Sequence, residues 1–242
     1  MKLVIKNFKG SHVGVMISFM IFVAFILFIR VILEPAILTN QDKESMLEFI
    51  ENKIINETSF YVSTTTVSLP SSISDTCLSI NSFVDEFNAY PGIVIKNQNG
   101  AIIPDSISSV DSKTLYVKRN SVSENFFKIY SSDGFSVSYE SVSCHAITEG
   151  TNYNSITKKG VYLFEDKIVE LINDYENYEN FKSALNLPNN TDAGISFEYE
   201  DGTIISTNET LPKTNIFSRE KSVEYIDENA NIHSGKLKTR IW

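Results

Sequence analysis

The sequence predicts an α+β protein, with a long N-terminal transmembrane helix followed by a mainly antiparallel β ectodomain carrying one or two amphipathic helices. Three observations predict it. An uncharged apolar run extends from Val13 to Ile29. Short β-branched and aromatic segments separated by turn dipeptides fill most of the chain after residue 58. One segment, Phe164 to Tyr175, switches to helical spacing. The organisation read from these is a basic leader at 1–12, a transmembrane helix at 13–33, a juxtamembrane helix at 34–57 and a β-rich extracytoplasmic domain at 58–242.

The apolar run comes first. Carried past Arg30 to Leu33, Val13 onward makes 21 residues, or about 31 Å of helix, enough for one bilayer crossing. Arg30 falls at the far end, where its long stem lets the guanidinium reach the headgroups. Lys2, Lys6 and Lys9 precede the run, and nothing as basic follows it, so the charge bias places the N-terminus in the cytoplasm and the rest outside the cell membrane. A cleaved secretory signal has a shorter core and a small-residue site, which Glu34-Pro35-Ala36 matches poorly. Pro35, preceded by a charge, is expected to end or kink the helix at the water boundary.

Beyond the run, Asp42 to Ile55 sets Met46, Leu47, Ile50 and Ile54 at helical spacing with acids on other faces, a short amphipathic helix. Thr58 to Leu69 is β-branched and aromatic, hence a strand. Asn99-Gly100 marks a hairpin between Ile93–Ile95 and Ala101–Ile103. Asp133-Gly134 is expected to separate two strands, FFKIYSS and FSVSYES, and Lys113 to Lys118 reads as another. Phe164, Ile168, Leu171, Ile172 and Tyr175 form one apolar stripe with acids opposite, a helix that can run on toward Leu185 before Pro188. The chain closes with a hairpin around Asp201-Gly202 and two strands flanking Glu228 to Ser234. Ile241-Trp242 at the end of the last strand suggests a docked terminus.

Composition limits the function classes. Of 21 bases, four lie before Glu34, where there is no acid; the remaining 17 face 30 acids, a net of −13. Such an exterior repels nucleic acid, so no nucleic-acid partner is expected, and membrane lipid is met through the helix rather than through a basic patch. Cys77 and Cys144 are the two cysteines. They either pair or both stay free; an oxidising compartment favours the disulfide. Asn56, Asn189 and Asn208 each open an N-x-Thr sequon on the outer side, candidate glycosylation sites. There is no G-x-S-x-G, P-loop, H-E-x-x-H, C-x-x-C or dinucleotide glycine pattern, and no ladder of calcium ligands. The expectation is therefore a protein that is not an enzyme, with no cofactor, no metal and no catalytic residues.

Lys9-Gly10-Ser11, directly before the apolar run, resembles the processing site of archaeal type IV pilin-like single-pass membrane proteins. There a prepilin-type peptidase cuts after a small residue and leaves the apolar helix on the mature subunit. The resemblance implies Lys9 and Gly10 for processing, Ser11 as the mature N-terminus, and Val13 to Leu33 for anchoring and for assembly with other pilin-like subunits. It covers roughly residues 2 to 55. The block from Ser11 to Ile37 and the ending from Ser218 to Trp242 also look like parts of small archaeal membrane proteins whose activity is unassigned. Two positions depart from the pattern. Glutamine is commoner where Ser11 stands, and the glutamate usual at the fifth mature position is Val15 here, which points to a minor or initiating member. The function expected is a non-enzymatic structural or assembly component of the cell surface. The alternative is a membrane-tethered extracellular binding domain that does not polymerise, which makes no use of Lys9-Gly10-Ser11.

Overall fold

A computed structural model describes residues 12–81, 90, 92–103, 107–108, 114–119, 121, 124–137, 144–148, 153–188, 191–208 and 215–242, with the side chains at 32–41 and 107–108 outside the description. The chain divides into two units, Met1–Phe49 and Ile50–Trp242.

The first helix, α1, spans His12–Thr58. It is α+β architecture as expected, but Pro35 does not end the helix. An internal proline removes one N–H and crowds the carbonyl four residues back, at about 3 kcal/mol. The runs of apolar and straight-chain helix formers on both sides outweigh that cost. Within the second unit the end of α1 buries Ile50, Glu51, Ile54 and Thr58 on one face. The Thr58 hydroxyl donates back to the Ile54 carbonyl at 2.9 Å, and the chain turns directly into the first strand.

That strand is β1 (Ser59–Ser68), followed by β2 (Cys77–Ile80), β3 (Gly92–Asn97), β4 (Ile107–Ser108), β5 (Leu115–Lys118), β6 (Phe126–Ser132), β7 (His145–Ile147) and β8 (Asn154–Phe164). Helix α2 (Glu165–Asn173), a single 3-10 turn (Asp174–Glu176) and helix α3 (Tyr178–Ala184) come next, then β9 (Ala193–Glu198), β10 (Ile204–Ser206), β11 (Phe217–Ile226) and β12 (Ile232–Ile241). Among the described residues these make an eight-stranded sheet, ordered β10-β9-β12-β11-β8-β1-β6-β3, and a four-stranded sheet, ordered β4-β5-β2-β7. Neighbours are antiparallel except β8 with β11 and β2 with β7. β8 meets β11 only at Leu163↔Tyr225 and Phe164↔Ile226, whereas it pairs with β1 from Ser59↔Leu163 to Ser68↔Asn154.

Two apolar layers flank the β1-β6-β3 end of the large sheet. On one face Val67, Ile95, Phe127 and Ile129 pack with Leu78, Ile80, Leu115, Val117 and Ile147 of the small sheet. On the other, Val62, Phe135, Phe164, Ile226 and Ala230 cluster with Val94 and Tyr130. Three strands lie between β3 and β11, yet the Lys96 ammonium on β3 donates to the Ala230 carbonyl at 2.9 Å and to Asn231 Oδ1 at 2.6 Å in the β11–β12 turn. The sheet is therefore curled, bringing its β3 edge back to that turn.

Local chemistry explains several elements. Gly100 and Gly202 adopt φ of +80° and +84°, conformations open to glycine at little cost; the Asp201-Gly202 hairpin forms as its turn dipeptide predicts, while the chain after Asn99-Gly100 turns back to make a single bridge, Lys96↔Ile102, rather than a full strand. The segment after Asp133-Gly134 differs from expectation: residues 135–137 are not strand, the rest of that arm lies outside the described residues, and β6 pairs with β1 and β3 instead. The reason is packing, since Phe135 turns inward onto Phe164 with ring centroids 5.1 Å apart. The helix expected from Phe164 is also interrupted, at the 3-10 turn, which lets Tyr175, Tyr178 and Phe181 gather with centroids 5.0 to 6.0 Å apart. The last strand starts at Ile232, inside the predicted connection. Its end is docked: Trp242 and Asp192 exchange backbone hydrogen bonds at 3.1 Å.

Candidate functional site

The apolar half of α1 is the most exposed hydrophobic surface among the described residues. From His12 to Val31 it is long and apolar enough to cross a membrane, and none of that stretch is buried. Val15, Met20 and Phe25 are 67%, 71% and 58% exposed. Apolar surface costs about 25 cal/mol per Å² in water, and patches far smaller than this mark interaction surfaces. This helix face requires a covering, whether lipid or protein.

The other residues singled out by the sequence are distributed as follows. Lys9, Gly10, Ser11 and Asn189 lie outside the described residues. Cys77 and Cys144 form a disulfide with Cα atoms 5.0 Å apart, at the end of β2 and β7 where the parallel ladder begins with Leu78↔His145. Beside it the buried Arg119 guanidinium donates to the carbonyls of Ile73, Asp75 and Glu124, and burial pushes its pKa below the ordinary value. Asn56 and Asn208 are exposed. Thr58 of the first sequon is 1% exposed with its hydroxyl engaged by Ile54, so the folded protein keeps the threonine of that motif buried.

Near the end of the helix, Glu51 is 2% exposed, with Lys221 Nζ 3.0 Å and Arg219 Nε 3.3 Å from its carboxylate oxygens. Both cations come from β11, and both stay partly exposed. A buried carboxylate needs such partners, since an unpaired one is strongly disfavoured.

A feature that sequence reasoning missed is an open cleft of about 620 Å³, lined by Glu165, Tyr199, Glu200, Asp201, Tyr225 and His233. Its parts come from the start of α2, the β9–β10 turn, β11 and β12. The rings pack against one another, Tyr199 and Tyr225 at 5.6 Å and Tyr225 and His233 at 5.2 Å between centroids. Glu200 Oε2 lies 2.8 Å from His233 Nδ1, and Asp227 Oδ2 lies 3.7 Å from Nε2. Burial raises the Glu165 pKa. Burial and the neighbouring Glu165 carboxylate, which shares a hydrogen bond with it, push the Tyr199 phenol up to about 12. The cleft thus offers a neutral phenol and aromatic faces beneath a negatively charged rim. Among the described residues there is no group of three or more His, Cys, Asp or Glu that could hold a metal ion. The available sequence signal was a repeated one: Glu-Tyr-Glu-Asp at 198–201 and Glu-Tyr-Ile-Asp at 224–227 each set a tyrosine between acids beside a turn.

No protein-family model matches this chain, and neither does any curated protein or solved structure.

Proposed function

We propose that the protein is a non-enzymatic component of the cell surface, a type IV pilin-like subunit held in the cell membrane by α1 with its N-terminus cytoplasmic and its β-rich domain outside. The observation that carries this reading is the single helix with two characters. Its first 20 described residues form a predominantly apolar, unburied stretch, while its last turns bury Ile50, Glu51 and Ile54 within the β-rich unit. In a bilayer such a helix satisfies its own backbone and meets lipid; in an assembly the same apolar face packs helix on helix. The three lysines before the run support the orientation, and Lys9-Gly10-Ser11 supports processing by a prepilin-type peptidase. An extracytoplasmic domain also accords with the disulfide.

The test is Gly10→Phe in native cells. The pilin-like reading expects the wild type to lose its first ten residues and the variant to retain them. Identical chain lengths for both would favour the alternative, a tethered binding domain that does not polymerise, for which the aromatic and acidic cleft would be the binding surface.

A further inference from the structure

The curl of the large sheet creates a cavity of about 410 Å³ between β3, β6 and the β11–β12 turn, lined by Thr66, Lys96, Phe126, Lys128, Tyr130 and Asn231 among others. Lys96 and Lys128 are directly opposite in the β3–β6 register, so both side chains stand on one face of the sheet. Thr66 extends the row through its pairing with Lys128. Along β6, Phe126, Lys128 and Tyr130 alternate onto that same face.

Two like charges opposed across a ladder destabilise it, and Lys96 is only 6% exposed. Its ammonium donates to two neutral oxygens, the Ala230 carbonyl and Asn231 Oδ1, and lies 5.5 Å from the centre of the Tyr130 ring. Among the described residues no carboxylate comes within ion-pair distance of Lys96 or Lys128. Burial lowers the Lys96 pKa, Asp227 acts against this at longer range, and Lys128 reinforces it. Buried ammonium groups in folded proteins ordinarily have a counter-charge close by; this one has Asp227 beyond ion-pair distance, and a second cation, Lys128, directly across the ladder. In a domain with a net charge of −13 beyond Leu33, a buried lysine facing an exposed one is the reverse of the general surface.

We propose that this cavity binds a small organic anion, with a carboxylate or phosphate group seated between Lys96 and Lys128 and its ring or short apolar body against Phe126 and Tyr130. Phe126 is 51% exposed, a large apolar ring at the mouth that such a body would cover. The cavity volume lies within the range of small-molecule sites, which pair apolar walls with a few convergent polar groups. The inference is independent of how α1 is used.

The test is isothermal titration calorimetry on the full chain in detergent micelles, in a low-salt buffer, with sodium benzoate, inorganic phosphate and the uncharged isostere benzamide as probes. Benzoate is expected to bind with a Kd of about 1 mM or below, benzamide at least about tenfold more weakly, and Lys128→Gln to weaken benzoate about tenfold through loss of one charge-assisted hydrogen bond. Lys128 is exposed, so this variant leaves the core intact. Lys96→Met, checked for folding by circular dichroism, is expected to abolish benzoate binding. Equal affinities for benzoate and benzamide, or an unchanged Kd in Lys128→Gln, would overturn the proposal. Binding of phosphate without benzoate would overturn the assignment of an organic body.

Discussion

Replacing Cys77 and Cys144 together by serine should remove about 4 kcal/mol of stability from the β-rich domain. The bridge joins positions 67 apart in sequence, and closing a loop of that length in the unfolded chain costs about 4 kcal/mol in conformational entropy. The folded geometry adds a local reason. Among the described residues β7 is an edge strand of three residues, attached to its sheet through β2 alone, yet it contributes Ile147, 2% exposed, to the core shared by both sheets. Without the covalent tie, the short ladder must hold that strand unaided. The assay is urea unfolding of the full chain in detergent, followed by fluorescence of Trp242, the single tryptophan, which reports on the large sheet. With a slope of about 2 kcal/mol per molar urea, the midpoint should fall by about 2 M. Reduced wild type should unfold with the variant. A shift below about 0.5 M would mean that the large sheet is indifferent to whether the small one is tied, contrary to this expectation.

Other perturbations have definite expected outcomes. Removing both cations from Glu51, as Arg219→Met with Lys221→Met, should cost about 3 kcal/mol by leaving a buried carboxylate unpaired. Glu51→Gln should cost about 1 kcal/mol, because its partners can turn to water; denaturant midpoints compare the two, and equal costs would sink the argument. Gly92→Ala should destabilise by about 2 kcal/mol, since its Cβ would run into the carbonyl oxygens of Phe135 and Ser132, backbone atoms that cannot swing away; an unchanged Tm would contradict this. The pH dependence follows from Tyr199, whose phenol keeps its proton up to about 12 when folded, whereas an unfolded tyrosine releases it near 10. The unfolded state binds fewer protons between those values, so this contribution is complete below pH 10 and lost as pH rises toward 12. Lys96, lowered from 10.5 by burial, acts oppositely just below pH 10.5, so the alkaline decline should be steeper in Lys96→Met, as measured by urea midpoints across that range.

What the sequence disclosed and what it concealed divide along the reach of the interactions. The apolar half of α1, strand β1 and the turns at Asn99-Gly100 and Asp201-Gly202 depend on composition and backbone preference within a few residues, and they form where the residues indicate. Pro35 shows the limit of a local rule, since a long helix on both sides outweighs one lost hydrogen bond. The break at Asp174 arises because Tyr175 meets Tyr178 and Phe181 around the kink, which periodicity alone does not reveal. Sheet order was illegible because it rests on partners far apart in sequence. The Lys96 bonds to Ala230 and Asn231 span 134 and 135 positions, and β8 borders both β1 and β11. The same holds for the sites. The exposed helix was visible as a run of letters, whereas the cleft draws Glu165, Tyr199, Tyr225 and His233 from four elements, and the opposed lysines emerge only once β3 and β6 are in register.

In the function proposed above, an apolar helix processed at Gly10 carries the β-rich domain at the cell surface. This is tested most directly by the N-terminal residue of the native protein, determined by mass spectrometry on the membrane fraction and on material sheared from cells. A chain beginning at Ser11, present in the sheared fraction, is expected. A chain retaining Met1 or Lys2 and confined to the membrane would contradict it.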